Sequence, residues 1–191
     1  LRYASEYMID SYLIEKATEK SLITIKDNYV LIEMSFISEP INLHEIIFEI
    51  NMNGYIPILA HPERYRFLFD DFKKFYKLKK IGCYFQINLL SVTGYYGKKI
   101  VEISQKLIKN NMIDFAGSDI HNLRHINEFN DTIAYEEIST ASNVFGLIQN
   151  NSEIRNLQFT QNISLPFFGK LHLINGWFAG KRTSYRYSSY E

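Results

Sequence analysis

The stretch Tyr55-Ile56-Pro57-Ile58-Leu59-Ala60-His61-Pro62-Glu63-Arg64 is a near-continuous apolar run that stops at a histidine, a proline and two charges. Apolar residues at successive positions, rather than alternate ones, mark a strand buried on both faces of a parallel sheet. The flanking segments fit the same sheet. Leu1 to Met8 reads as a short strand, and Asp10 caps a helix over Ser11 to Lys20. Leu22 to Ile25 and Tyr29 to Phe36 read as two strands across a Lys26-Asp27-Asn28 turn. Asn42 caps a helix carrying Ile46, Ile47 and Ile50, and Gly54 stops it. Phe67 to Lys80 is an amphipathic helix closed by Gly82. Cys83 to Leu89 is a strand, Gly97 to Asn110 a helix, and Met112 to Ala116 another strand. Helical segments follow at about Ile126 to Ile138 and Ala141 to Gln149.

Strand and helix alternate, which predicts a parallel sheet with helices packed outside it. An open doubly wound sheet and a barrel both satisfy that order. No strand-to-helix turn carries the Gly-rich dinucleotide fingerprint, so the usual reason to choose a Rossmann fold is absent. No internal repeat is visible at a fixed period.

Composition narrows the class. The chain has 191 residues, with Lys+Arg and Asp+Glu balanced at 21 each, which argues against a nucleic-acid backbone as the main partner. One cysteine excludes a disulfide scaffold and a multi-cysteine zinc module. At 46% hydrophobic and 22% charged residues, the chain can bury a core. No uncharged apolar run of about 18 residues would span a membrane, and the length suits one domain. The first residue is Leu, the sequence opens directly in a strand-like run, and no signal-type segment is expected ahead of it. From Lys170 to Glu191 the sequence is basic and ends Thr183-Ser184-Tyr185-Arg186-Tyr187-Ser188-Ser189-Tyr190, which reads as a tail rather than another βα unit.

In a parallel barrel the active site lies at the C-terminal ends of the strands. The polar residues expected there are few. Glu6 lies late in the first strand, Glu33 is a charge in an apolar run, and His61 directly follows Ala60. Asp119 and His121 follow Phe115-Ala116-Gly117-Ser118. Carboxylates and imidazoles without a thiolate suit a hydrolytic Zn, Mn or Fe site. Each residue alone has a plainer reading, such as a solvated strand face, a turn histidine or a capping aspartate. The set persuades more than any member.

Arg64, three residues past His61, suits phosphate recognition, with Glu63 as its expected salt-bridge partner. Arg124 and His125 offer a second cation, while Arg66 reads as surface charge. Cys83 has no phosphate loop and Leu at position 89 where a thiol phosphatase needs Arg, so it reads as a buried structural residue. Gln86 and Asn88 alternate toward one side, facing the interior or the site, and Ser91 to Gly97 forms a small-residue loop suited to lining it. His44 and His172 read as incidental.

The segments Tyr29 to Phe36, Ile58 to Tyr65, Gln86 to Gly97 and Gly117 to His125 resemble the bacterial capsule-type tyrosine-protein phosphatases of the polymerase-and-histidinol-phosphatase (PHP) superfamily. The resemblance runs over roughly residues 1 to 157. It implies a distorted TIM-like (β/α)₇ barrel holding divalent ions, Mn first with Fe or Zn as alternatives, and up to three in a complete enzyme. By this resemblance Glu6 bridges two metals, Glu33 and His61 ligate one of them, Asp119 ligates the second and His121 the third. Arg64 corresponds to the phosphate-binding arginine, and Arg124 is the nearest candidate for a second one.

The family pattern opens with a His-x-His strand, yet no histidine precedes His44 in this chain. A complete eight-unit barrel takes about 250 residues. The expectation is therefore a barrel lacking its first units, in which only Glu6, Glu33 and His61 keep a full protein ligand set. Residues 1–157 would be the C-terminal portion of the phosphatase domain, and 158–191 a divergent tail.

The implied reaction is hydrolysis of phosphotyrosine on proteins by a metal-bound hydroxide, with no cysteine intermediate. The implied partner is the tyrosine-rich tail of a bacterial tyrosine kinase controlling polysaccharide export, and the expected location is the cytoplasm. No nucleic acid or membrane span is expected, and the oligomeric state is left open. Two alternatives remain: a PHP phosphoesterase acting on small phosphate esters, and a catalytically inactive chain that acts at most in binding or regulation. The tail tyrosines Tyr185, Tyr187 and Tyr190 suggest a pseudo-substrate, against the plainer readings of a disordered or frame-altered terminus.

Overall fold

Five short strands form one parallel sheet: β1 (Glu6–Met8), β2 (Tyr29–Glu33), β3 (Ile56–Ala60), β4 (Tyr84–Asn88) and β5 (Phe115–Gly117). They lie side by side in chain order. Between them run α1 (Ser11–Thr18), α2 (Leu43–Met52), α3 (Lys73–Lys80), α4 (Leu89–Val92) and α5 (Lys98–Lys109), with α6 (Leu123–Ala134) after β5. The computed structural model describes residues 4–25 and 27–134. The expected Ala141–Gln149 helix, the boundary at residue 157, the tail tyrosines and His172 lie outside the described residues.

The period of two along each strand separates two faces. Val30, Ile32, Leu59, Phe85, Ile87 and Ala116 belong to the large core that also holds the helix residues. On α2 the buried positions are Leu43, Ile46, Ile47 and Ile50, the i, i+3, i+4, i+7 stripe of a helix packed on a sheet. The opposite face carries a smaller cluster of Leu31, Ile58 and Ala60, with no helix residue in it. At its lower end Tyr29, Tyr84 and Phe115 meet edge to face, with centroids 5.9–6.0 Å apart. A doubly wound sheet reverses strand order and carries helices on both faces. The described strands do neither.

Several boundaries differ from the sequence expectation, each for a local reason. Leu22 to Ile25 forms no strand. Both edges of β2 are already taken by β1 and β3, so no edge is left for an antiparallel hairpin partner. Isolated bonds take the place of a ladder, among them Ile25 N to Tyr29 O at 2.8 Å and Ser5 N to Ile23 O at 3.2 Å. The Phe67–Lys80 helix is broken. A 3₁₀ turn covers Arg66–Leu68, and α3 starts only after the Asp71 side chain accepts the Lys73 N–H at 3.0 Å. β5 begins at Phe115 rather than Met112. Met112 N still closes α5 by bonding Leu107 O at 3.1 Å, and the Asp114 carboxylate, not a ladder carbonyl, receives Phe85 N at 2.7 Å. Asp10 does cap α1, accepting Leu13 N at 3.1 Å, whereas Asn42 precedes α2 without a side-chain cap bond.

Phe85 is fully buried and packs edge to face on Phe75, 6.1 Å between centroids. Phe85→Ala should lower the unfolding free energy by about 3–5 kcal/mol, read from urea denaturation. A loss under about 1 kcal/mol would contradict this core assignment.

Candidate metal centre

The smaller face of the sheet changes character toward the strand ends. Glu6 is in register with Leu31, Glu33 is the last residue of β2, and His61 directly follows β3. Three adjacent parallel strands thus deliver three donor groups to one spot. His61 Nε2 lies 3.6 Å from Glu6 Oε1 and 3.9 Å from Glu33 Oε2. One ligand atom from each of the three lies within 4.8 Å of the others.

His61 reaches this position through a left-handed backbone, φ 36° and ψ 54°. Its N–H still bonds Gln86 O at 2.7 Å, so the sheet continues up to the residue that ends it. Such a conformation is costly for a residue with a Cβ, and a surrounding structure must hold it. Phe36 and Tyr65 do so here, each ring within 5.5 Å of the imidazole. Tyr65 is itself fixed, its hydroxyl accepting Met34 N at 2.9 Å.

The donor set fits a divalent cation. Burial, then the charges of Glu33 and Asp119, push the Glu6 carboxyl up to about 8. Burial, then Arg64, takes the His61 imidazole down to about 3, leaving a neutral ring with a lone pair to donate. Carboxyl groups held largely out of water beside a neutral imidazole present oxygen and nitrogen lone pairs, and a cation among them would favour the ionised carboxylates. The set offers oxygen and nitrogen donors and no thiolate, the chemistry of Mn, Fe or Zn sites.

A second group lies beside the first. Arg64 Nη1 is 2.7 Å from Asp119 Oδ2, and Asn88 Nδ2 donates to the same oxygen at 3.0 Å. Glu63, expected to pair with Arg64, does not. In a 3₁₀ turn successive side chains diverge by about 120°, so Pro62–Arg64 sends Glu63 inward, where it accepts Asn88 N at 3.0 Å. Burial pushes that carboxyl up to about 7. Asp119 also has a left-handed backbone, φ 47°. His121 Nδ1 meets Asp119 Oδ1 at 2.9 Å, and the Asp119 hydrogen bond raises the imidazole to about 9. Burial works against ionisation of Asp119, but the His121 hydrogen bond and the neighbouring His and Arg charges hold it below its ordinary value.

Glu6, His61, Gln86, Asn88 and Asp119 line one pocket. Gly117 belongs to it for a steric reason, since a Cβ there would lie 2.0 Å from Gln86 Nε2. Arg124 stands apart, exposed on α6 with its guanidinium 5.7 Å from the Tyr95 ring. His125 comes nearer, Nδ1 lying 3.3 Å from Asp119 O. Arg66 and His44 are exposed.

Sequence reasoning missed the flanking of Arg64 by Phe36 and Tyr96, whose ring centroids are 4.8 and 4.3 Å from the guanidinium carbon. The available signal was an aromatic residue just past β2 and a Tyr-Tyr pair in the turn between α4 and α5. Cys83 is buried, which pushes its thiol up to about 12.

A parallel α/β sheet whose strand ends gather two glutamates and a histidine beside an arginine–aspartate pair offers the donor set that a divalent cation could use. The chain belongs to the capsular polysaccharide synthesis CpsB/CapC family, whose profile matches residues 1–142. It is 34% identical over 107 residues to the tyrosine-protein phosphatase YwqE of Bacillus subtilis strain 168, covering 56% of this chain and 42% of that protein. It is 30% identical over 129 residues to the tyrosine-protein phosphatase CpsB of Streptococcus pneumoniae, covering 64% and 53%. The chain thus spans about half the length of the curated relatives it matches. A solved structure from work on YwqE and CpsB, named there as metal-dependent tyrosine phosphatases, superposes with a TM-score of 0.64 at 29% identity, covering 79% of this chain and 62% of that one.

Mn²⁺ should raise the thermal midpoint of the chain, because an ion at 100 times its Kd adds about 2.7 kcal/mol to the folded state. Glu33→Ala and His61→Ala should abolish the rise in differential scanning fluorimetry; an undiminished rise in both variants would place the ion elsewhere. Cys83 should resist iodoacetamide at pH 8 in the native chain and react in urea, as mass spectrometry would show. Native labelling would contradict its burial.

Proposed function

We propose that this protein is a metal-dependent phosphatase that hydrolyses phosphotyrosine on protein substrates. The observation that carries this reading is the placement of Arg64 beside the Glu6–Glu33–His61 group, in a chain whose family relatives are named tyrosine phosphatases. The strand order and the helices on one face support reading the sheet as an arc of a PHP-type barrel. No helix among the described residues is long and apolar enough to cross a membrane.

Glu6, Glu33 and His61 would hold one divalent ion, Mn before Fe or Zn on the donor chemistry. Asp119 and His121 are the candidates for further ions. A bound ion supplies Lewis acidity and an acidified water. The protein's own groups do the rest. Arg64 offers a planar fork to two phosphate oxygens as charge builds on them. Phe36 and Tyr96 restrict the plane of that guanidinium, and Asp119 holds it in place before substrate arrives. Asn88 steadies Asp119 from β4. Cys83 takes no part, because its protonated thiol is buried on β4's approach rather than at the strand ends. The proposed substrate is the tyrosine-rich tail of a bacterial tyrosine kinase acting in capsule synthesis.

One competing reading is a binding role. In it the Glu6–Glu33–His61 group and Arg64 bind an ion and a phosphate group without turning the ester over. Assay of p-nitrophenyl phosphate with added Mn²⁺ separates the two. Turnover should be lost by 100-fold or more in Glu33→Ala and His61→Ala, and Arg64→Ala should cost about 10²–10³ in kcat/KM. A chain that binds Mn²⁺ at His61 yet turns over no phosphoester supports the binding role instead.

A further inference from the structure

Phe36 is the aromatic residue that touches both halves of the site. Its ring stacks on His61 at 5.4 Å and 22°, and on Tyr65 at 5.4 Å and 28°. The His61 and Tyr65 centroids are 5.5 Å apart. The three centroids therefore form a nearly equilateral triangle, which puts both neighbours to one side of Phe36. The Arg64 guanidinium carbon lies 4.8 Å from the same ring. Phe36 nevertheless keeps 47% of its surface exposed. Single exposed aromatics are common, but this one is in contact with both the imidazole and the guanidinium that would flank a bound phosphate.

A phosphate held by Arg64 next to the Glu6–Glu33–His61 group would carry its leaving group past that ring. In an aryl phosphate the aromatic ring is bonded directly to the ester oxygen, so it sits next to the phosphate. In an alkyl phosphate no π face is there. We infer that the exposed part of Phe36 receives the aromatic leaving group of the substrate and selects aryl over alkyl phosphomonoesters. The inference rests on the phosphatase reading above and adds the residue that makes it selective for phosphotyrosine. Phe36 is then a specificity residue rather than a filler for the loop after β2.

The test uses the full chain loaded with Mn²⁺ and two non-hydrolysable probes, phenylphosphonate and methylphosphonate, titrated by calorimetry. The readout is the ratio of their affinities on each protein, so a change in Mn²⁺ affinity cancels. Wild type should prefer phenylphosphonate. Phe36→Leu keeps the apolar bulk without the ring and should lower that preference about 3- to 10-fold, the size of an aromatic pair contribution. Phe36→Tyr should retain it. A preference unchanged within about twofold in Phe36→Leu overturns the inference, as does a wild type that binds both probes equally. A wild type that binds neither probe overturns the phosphatase reading itself, and the Phe36 subsite with it.

Discussion

The buried meeting of Glu6, Glu33 and His61 constrains everything around it. Glu6 and His61 side chains are 6% and 5% exposed, and His61 Nε2 lies 3.6 Å from Glu6 Oε1. A carboxylate taken out of water without compensation is costly, and the group protonates instead, which is why the Glu6 carboxyl is pushed to about 8. A divalent cation would remove that cost and use the neutral imidazole lone pair at the same time. The parallel sheet holds these three donors on neighbouring strands at nearly fixed spacing.

Backbone strain then builds the second half of the site. His61 directly after β3 and Asp119 two residues past β5 adopt left-handed conformations, at about 1–3 kcal/mol each. Those two turns bring Arg64 and Asp119 within 2.7 Å of each other. Neighbouring packing holds the strained residues in place. Phe36 and Tyr65 wall His61, and Asn88 anchors Asp119 while its Oδ1 caps α4 through Leu90 N at 2.8 Å. Glu63 sits beneath this network and ties the turn after β3 to the end of β4.

Much of this was legible in the sequence because the signals were local or periodic. The apolar run before His61 gave β3, and the i, i+3, i+4, i+7 stripe gave α2. Glu33 stood out as a charge inside an apolar strand, and His61 and Asp119 as polar residues just beyond strand ends. What was not legible depended on three-dimensional competition. Leu22 to Ile25 has strand-like residues, but no free edge of β2 remained for it. Arg64 had an adjacent acid in Glu63, yet a 3₁₀ turn sends neighbouring side chains different ways, and the partner came from position 119 instead. Arg124 had a suggestive place after Asp119, but a helix start turned it toward Tyr95. The flanking of Arg64 by Phe36 and Tyr96 joins residues 60 positions apart, beyond any spacing rule.

The most direct test is a crystal of this chain grown or soaked with Mn²⁺ and measured near the Mn absorption edge. An anomalous difference peak in contact with carboxylate oxygens of Glu6 and Glu33 and with Nε2 of His61 is predicted. A Mn-loaded crystal with no peak at those three side chains, and its density elsewhere, would contradict the account.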